Sequence, residues 1–321
     1  MKNTNEKRNK KDAPTKTSVK AAAFFRLVGS KLAQFFRFVG RMIAKFFKSI
    51  YSNKQAAAGF TIVLIYVFFA LFGSLIFPYD MSTNSADRFL PVSAEHWLGT
   101  DEMGRDVFRQ LIYGTKSVLS IAFLTAVFTC LLGVILGMLS GYVGGWLDKI
   151  IQSLTNLFLS VPSFPILLLF ASMFTIEDDI TFALVLSAWS WAGLCRTVRA
   201  QIVSLKERDF IQICKVIHFG NAHILFKELL PNILSYVLIN FVMIMRSAIT
   251  GSVGIMMLGL AAFDPANWGA MLNRARQIGL VDRNAMLFML KPLFTIIVLQ
   301  TGVIMLSNGL DEILNPRLRV E

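Results

Sequence analysis

The chain has 321 residues, of which 55% are hydrophobic and 16% charged, a balance in which lipid rather than water is the solvent for much of its surface. Its net charge of +12 resides entirely in the first 58 residues, which hold 14 Lys and Arg against Glu6 and Asp12, while the other 263 balance 18 against 18. Three cysteines without paired spacing (Cys130, Cys195, Cys214) and three scattered histidines (His96, His218, His223) offer neither a disulfide framework nor a metal site.

Residues 1–20 are rich in Lys, Asn and Thr with almost nothing to bury, which predicts a disordered basic tail. From Phe24 onward, apolar residues recur at helical spacing (Phe25, Val28, Leu32, Phe35, Phe36, Val39), with Arg26, Lys31, Arg37 and Arg41 between them. This pattern predicts an amphipathic helix over 21–54 that lies on the lipids of the inner leaflet. Charge interrupts its apolar residues and no small-residue cleavage site follows, which separates it from a signal peptide. Because Lys and Arg are retained on the cytoplasmic side of a bilayer, the basic head places the amino terminus inside.

Six apolar stretches follow, each long enough to cross a hydrocarbon core as a helix: 58–77, 117–140, 151–176, 180–198, 232–258 and 290–308. The predicted fold is an all-α integral membrane protein of six transmembrane helices, with both termini in the cytoplasm. Residues 78–116, 177–179 and 259–289 then face outward, and 141–150, 199–231 and the carboxyl tail face inward. A first span with its outer segment (55–116) precedes a core (117–308) and a tail (309–321).

Within the second span Gly133, Gly137 and Gly141 stand four residues apart on one face. Such small-residue ridges let membrane helices approach closely, so these three predict helix packing, in the chain or against a partner. The outer segment carries Asp101, Glu102, Arg105, Asp106 and Arg109. No nucleophile, base and orienting group can be named among them, so the segment is either a structural clasp or a docking surface, not a catalytic site. Gly114-Thr-Lys-Ser117 lacks the spacing of a phosphate-binding loop. Glu177-Asp178-Asp179 is most simply a solvated outer turn. The inner loop 199–231 is the longest cytoplasmic interruption. Its Ile213, Val216 and Ile217 share a face that either lies back on the bundle or fits a groove on another protein, and the loop's helical pieces are expected to stop at Pro231.

Four ordered segments carry a resemblance. Cys195 to Phe210 with Ile224 to Asn232, His96 to Ser117, Asn267 to Leu272, and Pro292 through Gly309-Leu310 to Arg319 resemble permease subunits of ABC importers of the dipeptide/oligopeptide (peptide/nickel) branch. The resemblance covers about 55–321 and implies a permease of the type I ABC importer kind, in the bacterial cytoplasmic membrane. It implies as partners a second permease, two ATPase subunits that bind ATP and Mg, and an extracytoplasmic binding protein that delivers a peptide. This chain would need no cofactor of its own and would not be an enzyme, and no nucleic acid is implied. The outer motif maps to Gly99, Thr100, Asp101, Gly104, Arg105 and Asp106. The coupling loop, with a coupling helix of about Gln212 to His223, maps to Glu207, Arg208, Asp209, Gln212, Lys215, His218, Gly220, Leu230 and Pro231.

The loop departs from the family pattern. The family's Glu-Ala-Ala falls on Gln212, Ile213 and Cys214, and its glycine falls on His218, which removes the easy route to a positive-φ bend unless Gly220 takes it over. Coupling is then either retained with adjusted chemistry or weakened. Where the family carries an acid this chain has Ser252, while Arg246 lies near the middle of the fifth span. An arginine at that depth is costly unless it faces protein or water, so Arg246 either lines the path, with Ser252 and Trp268 as further candidates, or pairs with the partner permease. A secondary transporter is the rival class, but no repeat is evident and no Asp or Glu lies well inside a span. Cargo alternatives to peptide are nickel or another small solute.

Overall fold

The computed structural model describes residues 48–174, 176–261, 264–279 and 283–314. The chain divides into two units, 1–52 and 53–321. Of the first, residues 48–52 are described and are helical; the predicted basic tail and most of the predicted interfacial helix lie outside the described residues, as does the motif from Asn315 to Arg319.

In the second unit, helix α1 (Lys54–Ile76) starts at Asn53, whose side chain accepts the Ala56 N–H at 2.9 Å and so satisfies one of the free donors of the first turn. After a single 3₁₀ turn at Ser85–Asp87, Asp106 caps α2 (Val107–Val143) by accepting the Arg109 N–H. The chain continues through α3 (Gly145–Ser160), α4 (Ser163–Met173), α5 (Asp179–Lys206) and α6 (Asp209–Val216). A short turn at Asn221–His223 and a π-helical stretch at Ile224–Leu229 lead into α7 (Leu230–Met257), followed by α8 (Trp268–Ile278) and α9 (Arg283–Leu314). The described residues form no strand, only an isolated bridge between Thr100 and Asp106.

Four helical stretches are long and apolar enough to cross a membrane: α1, α2, Asn221–Met257 and Arg283–Ile313. Counting α3 and α4 as one broken span makes five. The protein is therefore a multi-pass membrane protein with four or five candidate spans, and one of the six expected spans, 151–176, is corrected. Residues 151–176 are not one helix, because α3 and α4 meet at a 90° bend. Pro162 lacks an N–H to continue α3 and pushes Val161 into extended backbone (φ −98°, ψ 134°). The stretch 180–198 lies in one long helix, α5, as expected, and its serines, tryptophans and Arg196 make it less apolar than the four.

Nor does the helix of the inner loop stop at Pro231. It runs through the proline, because the π-helical stretch shifts the bonding so that Leu230 N–H donates to Leu225 O, and Pro231 sits in the first turn of α7, where a missing N–H costs little.

Close packing of α2 on α5 organises the bundle. A Cβ placed at Gly133, Gly137 or Gly141 would come within 2.9 Å of Leu194 Cβ, 2.7 Å of Cys195 O and 2.9 Å of Ile202 Cβ respectively. The glycine ridge therefore serves this chain's own α5. A second small-residue contact, not singled out from sequence, joins α1 to α9, where Gly302 lies so close to Ile62 that a Cβ there would approach its side chain to 2.5 Å. Buried side chains gather in a cluster of α2, α7, α8 and α9 around Trp268 and Phe288, and in another of α2, α5 and the 211–233 segment around Ile202, Ile211 and Leu229. In lipid this packing, more than the removal of apolar surface from water, holds such helices together.

Candidate functional site

At one end of the bundle the acidic and basic residues of the outer motif form a closed clasp. Asp101 has no exposed surface. Its Oδ1 accepts the backbone N–H groups of Met103 and Arg105, and its Oδ2 accepts Arg105 Nε and Gln110 Nε2, all at 2.9 Å. Arg105 Nη2 lies 2.8 Å from Oδ2 but off the hydrogen-bond direction, so that contact adds charge rather than a bond. Gly99 and Gly104 hold φ of 69° and 76°, which lets the chain fold back twice around the aspartate. Thr100 accordingly reaches back to donate to Asp87 O and accept from Leu90 N–H. His96 Nδ1 meets Asp106 Oδ2 at 2.8 Å.

Arg274 of α8, which the sequence did not single out, locks the clasp from the other side. Its Nη2 donates to Gln110 Oε1 at 2.8 Å, its Nη1 to Pro265 O at 2.7 Å, and its Nε lies 3.1 Å from Glu102 Oε1. Burial lowers its pKa, against the opposing pull of Glu102. The charged groups of this segment pair chiefly with one another, although Glu102 Oε2, Arg105 Nη2 and Arg274 Nε are buried without a hydrogen bond, and the geometry has the form of a clasp. Beside it, Asn267 caps α8 and donates to Ser117 Oγ at 3.1 Å, and Ser117 donates to Asp179 Oδ1 at 2.7 Å. This corrects part of the acidic outer turn. Glu177 and Asp178 are exposed, but Asp179 is half-buried and borders a cleft of about 780 Å³ between α1, α2 and α5 that also meets Lys116 and Asp264. Burial pushes the carboxyls of both Asp179 and Asp264 above the ordinary range.

The 199–231 loop lies at the opposite ends of α2 and α5. Arg199 grips Asp148 with two bonds of 2.6 Å, Lys206 donates to Tyr142 O at 2.8 Å, and Tyr142 OH donates to Asn221 Oδ1 at 2.9 Å. Glu207 ends α5, Arg208 and Asp209 open α6, and Gln212 Nε2 turns back to donate to Lys206 O at 2.9 Å, with Lys215 Nζ 3.5 Å from its Oε1. α6 buries Ile211 and Cys214 in the bundle, while Ile213, Val216 and, just past its end, Ile217 are exposed at 56%, 76% and 59%. The face read from sequence thus does not lie back on the bundle. The expected helix from Gln212 to His223 is also corrected, since α6 ends at Val216. His218, not Gly220, makes the turn: its φ is 61° while Gly220 has φ −63°. A histidine enters the left-handed region at modest cost, and here its Nδ1 contacts Val216 O at 2.8 Å. Leu230 and Pro231 lie in the first turn of α7, and Leu230 packs against the cluster that holds Ile211 and Cys214 of α6.

Comparison with known proteins agrees with this arrangement. The family model described as binding-protein-dependent transport system inner membrane component matches residues 133–320, and the N-terminal TM domain of oligopeptide transport permease C matches 42–91. The chain belongs to this family of transport permeases. The permease is 32% identical over 275 residues to the dipeptide transport system permease protein DppC of Alkalihalophilus pseudofirmus, covering 85% of this chain and 89% of that one. It is 30% identical to the oligopeptide transport system permease protein OppC of Bacillus subtilis (84% and 87% covered), and 31% identical to the metal-staphylopine import system permease protein CntC of Staphylococcus aureus strain Mu50 (84% and 93% covered). Each of these relatives is named as a permease protein of a transport or import system.

The three path candidates fall in different surroundings. Trp268 is fully buried and its indole N–H donates to Leu111 O at 2.9 Å; Ser252 is 1% exposed and donates to Ile249 O at 3.1 Å. Arg246 is exposed on α7. Arg274 and Asp148, which the sequence did not single out, could have been found only by pairing opposite charges across distant segments. Among the described residues no three of His, Cys, Asp and Glu converge as a metal site.

Proposed function

We propose that this permease, with a second permease subunit, forms the pathway of an ATP-driven importer in the bacterial cytoplasmic membrane. Both termini are cytoplasmic, the 21–54 segment rests on inner-leaflet lipid, and an extracytoplasmic binding protein delivers the cargo to the clasp end. Two ATPase subunits, which bind the ATP and Mg, engage the 199–231 loop. The observation that carries this reading is the two-faced α6: Ile211 and Cys214 anchor it, while Ile213, Val216 and Ile217 present an unfilled apolar face where a partner groove is required. Gln212 keeps α6 docked under α5 through its bond to Lys206 O, a bond a glutamate side chain, having no donor when ionised, does not make. Coupling is therefore retained with adjusted chemistry.

Di- or oligopeptides are the cargo best supported, since relatives named for dipeptide and oligopeptide transport align over most of the chain; the relative named for metal-staphylopine import makes a metal chelate the second reading. The test is affinity capture of the tagged chain from native membranes, comparing wild type with the triple variant Ile213→Asp, Val216→Asp, Ile217→Asp. A second permease and two ATPases should accompany the wild type. The ATPases alone should be lost from the variant. Capture of the chain alone, with uptake by proteoliposomes lacking ATP, would show a secondary transporter instead. For the intact complex, competition of its ATP-driven uptake by peptides against metal chelates assigns the cargo.

A further inference from the structure

Arg246 is out of place for a helix in lipid. At 1.5 Å per residue it lies about 24 Å from the Leu230 end of α7 and about 16 Å from the Met257 end, deep inside a stretch that meets the requirements of a membrane span. An arginine at that depth is tolerated where it faces protein or water. Within the described residues its guanidinium has no hydrogen bond and no ion pair, and its side chain is exposed, whereas Ala248 and Ile249 beside it are buried in the core.

Its neighbours are polar. Ser247, Thr250 and, across on α9, Thr301 are exposed too. Gln300 of α9 binds the segment that carries the arginine: its Nε2 donates to Arg246 O at 3.1 Å and to Thr250 Oγ1 at 2.9 Å, while Thr250 Oγ1 also lies 3.3 Å from Arg246 O. Ser247 and Thr301 spend their hydroxyls on their own helices, donating to Met243 O and Ile297 O. The backbone under Arg246 is therefore fixed by two helices, while the guanidinium, with five donors in a rigid fork, stays unspent. A planar fork of N–H groups without a counter-ion matches the two oxygens of a carboxylate.

We infer that Arg246 forms a carboxylate-binding subsite within the translocation path, held by Gln300 and Thr250, and that it receives the carboxyl terminus of a transported peptide. This deepens the importer reading and rests on it. The alternative occupant, an acidic residue of the second permease, is an outcome of the test.

The test uses the complete importer in proteoliposomes with its binding protein in excess, and compares uptake of trialanine with uptake of trialanine amide by wild type, Arg246→Gln and Arg246→Lys. Loss of one charge-assisted bidentate contact should cut the acid-to-amide uptake ratio by about tenfold or more in Arg246→Gln. Arg246→Lys should keep part of the ratio, and the second permease and the ATPases should be recovered with both variants as with wild type. An unchanged ratio in Arg246→Gln overturns the subsite, because all discrimination then lies in the binding protein. So does loss of the second permease from the purified Arg246→Gln complex, which makes Arg246 an intersubunit partner. If wild type carries neither peptide but does carry a metal chelate, the peptide reading fails and the subsite as stated fails with it, a result recognisable from the wild type alone.

Discussion

Replacing Asp101 by alanine would remove the acceptor on which the clasp converges. Four donors end on its carboxylate at 2.9 Å, two from backbone N–H groups and two from the side chains of Arg105 and Gln110. Neither Asp101 nor the Arg105 side chain is more than 5% exposed, so water cannot take over. Breaking a buried ion pair by deleting one partner costs about 3–5 kcal/mol, because the remaining charge stays buried without compensation. At roughly 2–4 °C per kcal/mol, a loss of about 4 kcal/mol lowers the unfolding midpoint by about 8–16 °C. Asp101→Asn should lose about half as much, since its carbonyl still serves the two backbone N–H groups while its amide opposes the Arg105 and Gln110 donors. The assay is tryptophan fluorescence during heating of the purified protein in detergent. Asp80→Ala is the control, because Asp80 in the same segment is exposed and, among the described residues, bonds only to Ser82. A midpoint for Asp101→Ala within about 2 °C of wild type would refute the clasp as a stabilising device.

Gly137→Leu should force α2 from α5, costing about 1–3 kcal/mol through overpacking, whereas Gly193→Ala, with open space around its Cβ, should leave the midpoint unchanged; thermal unfolding of the two variants checks this. His218→Val should destabilise the loop by about 1–2 kcal/mol, because a β-branched residue is strained in the left-handed region, while His218→Gly should be tolerated; limited proteolysis between α6 and α7 reports the difference. Burial raises the Asp264 carboxyl above the ordinary range, so the native state binds the proton more tightly than the unfolded chain. Stability must then fall as pH rises from the ordinary carboxylate value through the raised one, and Asp264→Asn, which keeps an acceptor for the Ala266 N–H, should remove that part of the slope. Unfolding midpoints of both proteins across that range measure it.

What could be read from the sequence followed the range of the interaction. The glycine ridge was legible because Gly133, Gly137 and Gly141 repeat at helical spacing, and spacing alone implies a close neighbour. The clasp was legible as a set of charges but not as a structure, since Arg274 arrives from a segment 164 residues beyond its partner Gln110. The bend between α3 and α4 was signalled by Pro162, yet hydropathy runs unbroken across it, and an average over apolar residues has no knowledge of direction. For α6 the amphipathic period was plain, but which face the bundle keeps depends on where Ile211 and Cys214 meet Leu229 and Ile233, a tertiary matter. His218 makes the positive-φ turn in place of a glycine because tertiary context can hold a residue in a conformation its intrinsic preference disfavours by only about 1–2 kcal/mol.

One pair of helices, α2 and α5, runs packed together from the clasp end to the loop end. α2 has 37 residues and spans about 55 Å. Its first residues stand in the clasp, and its last turn bonds through Tyr142 to Asn221 and Lys206 beside the loop. α5 begins at Asp179, bonded to Ser117 of α2, and ends at Lys206, bonded to Gln212 of α6. Between these ends the glycine ridge leaves no gap in which one helix could slide past the other without lifting over Leu194 and Val198. A push on α6 is therefore expected to move α2 and α5 as one body rather than shear them. Spin labels at Leu131 on α2 and Leu184 on α5, 55% and 49% exposed, should give one distance distribution in the nucleotide-free complex and the same distribution in the ATP-trapped complex. A nucleotide-dependent second distance between them would show that the pair slides, and that the link from loop to clasp runs through another helix.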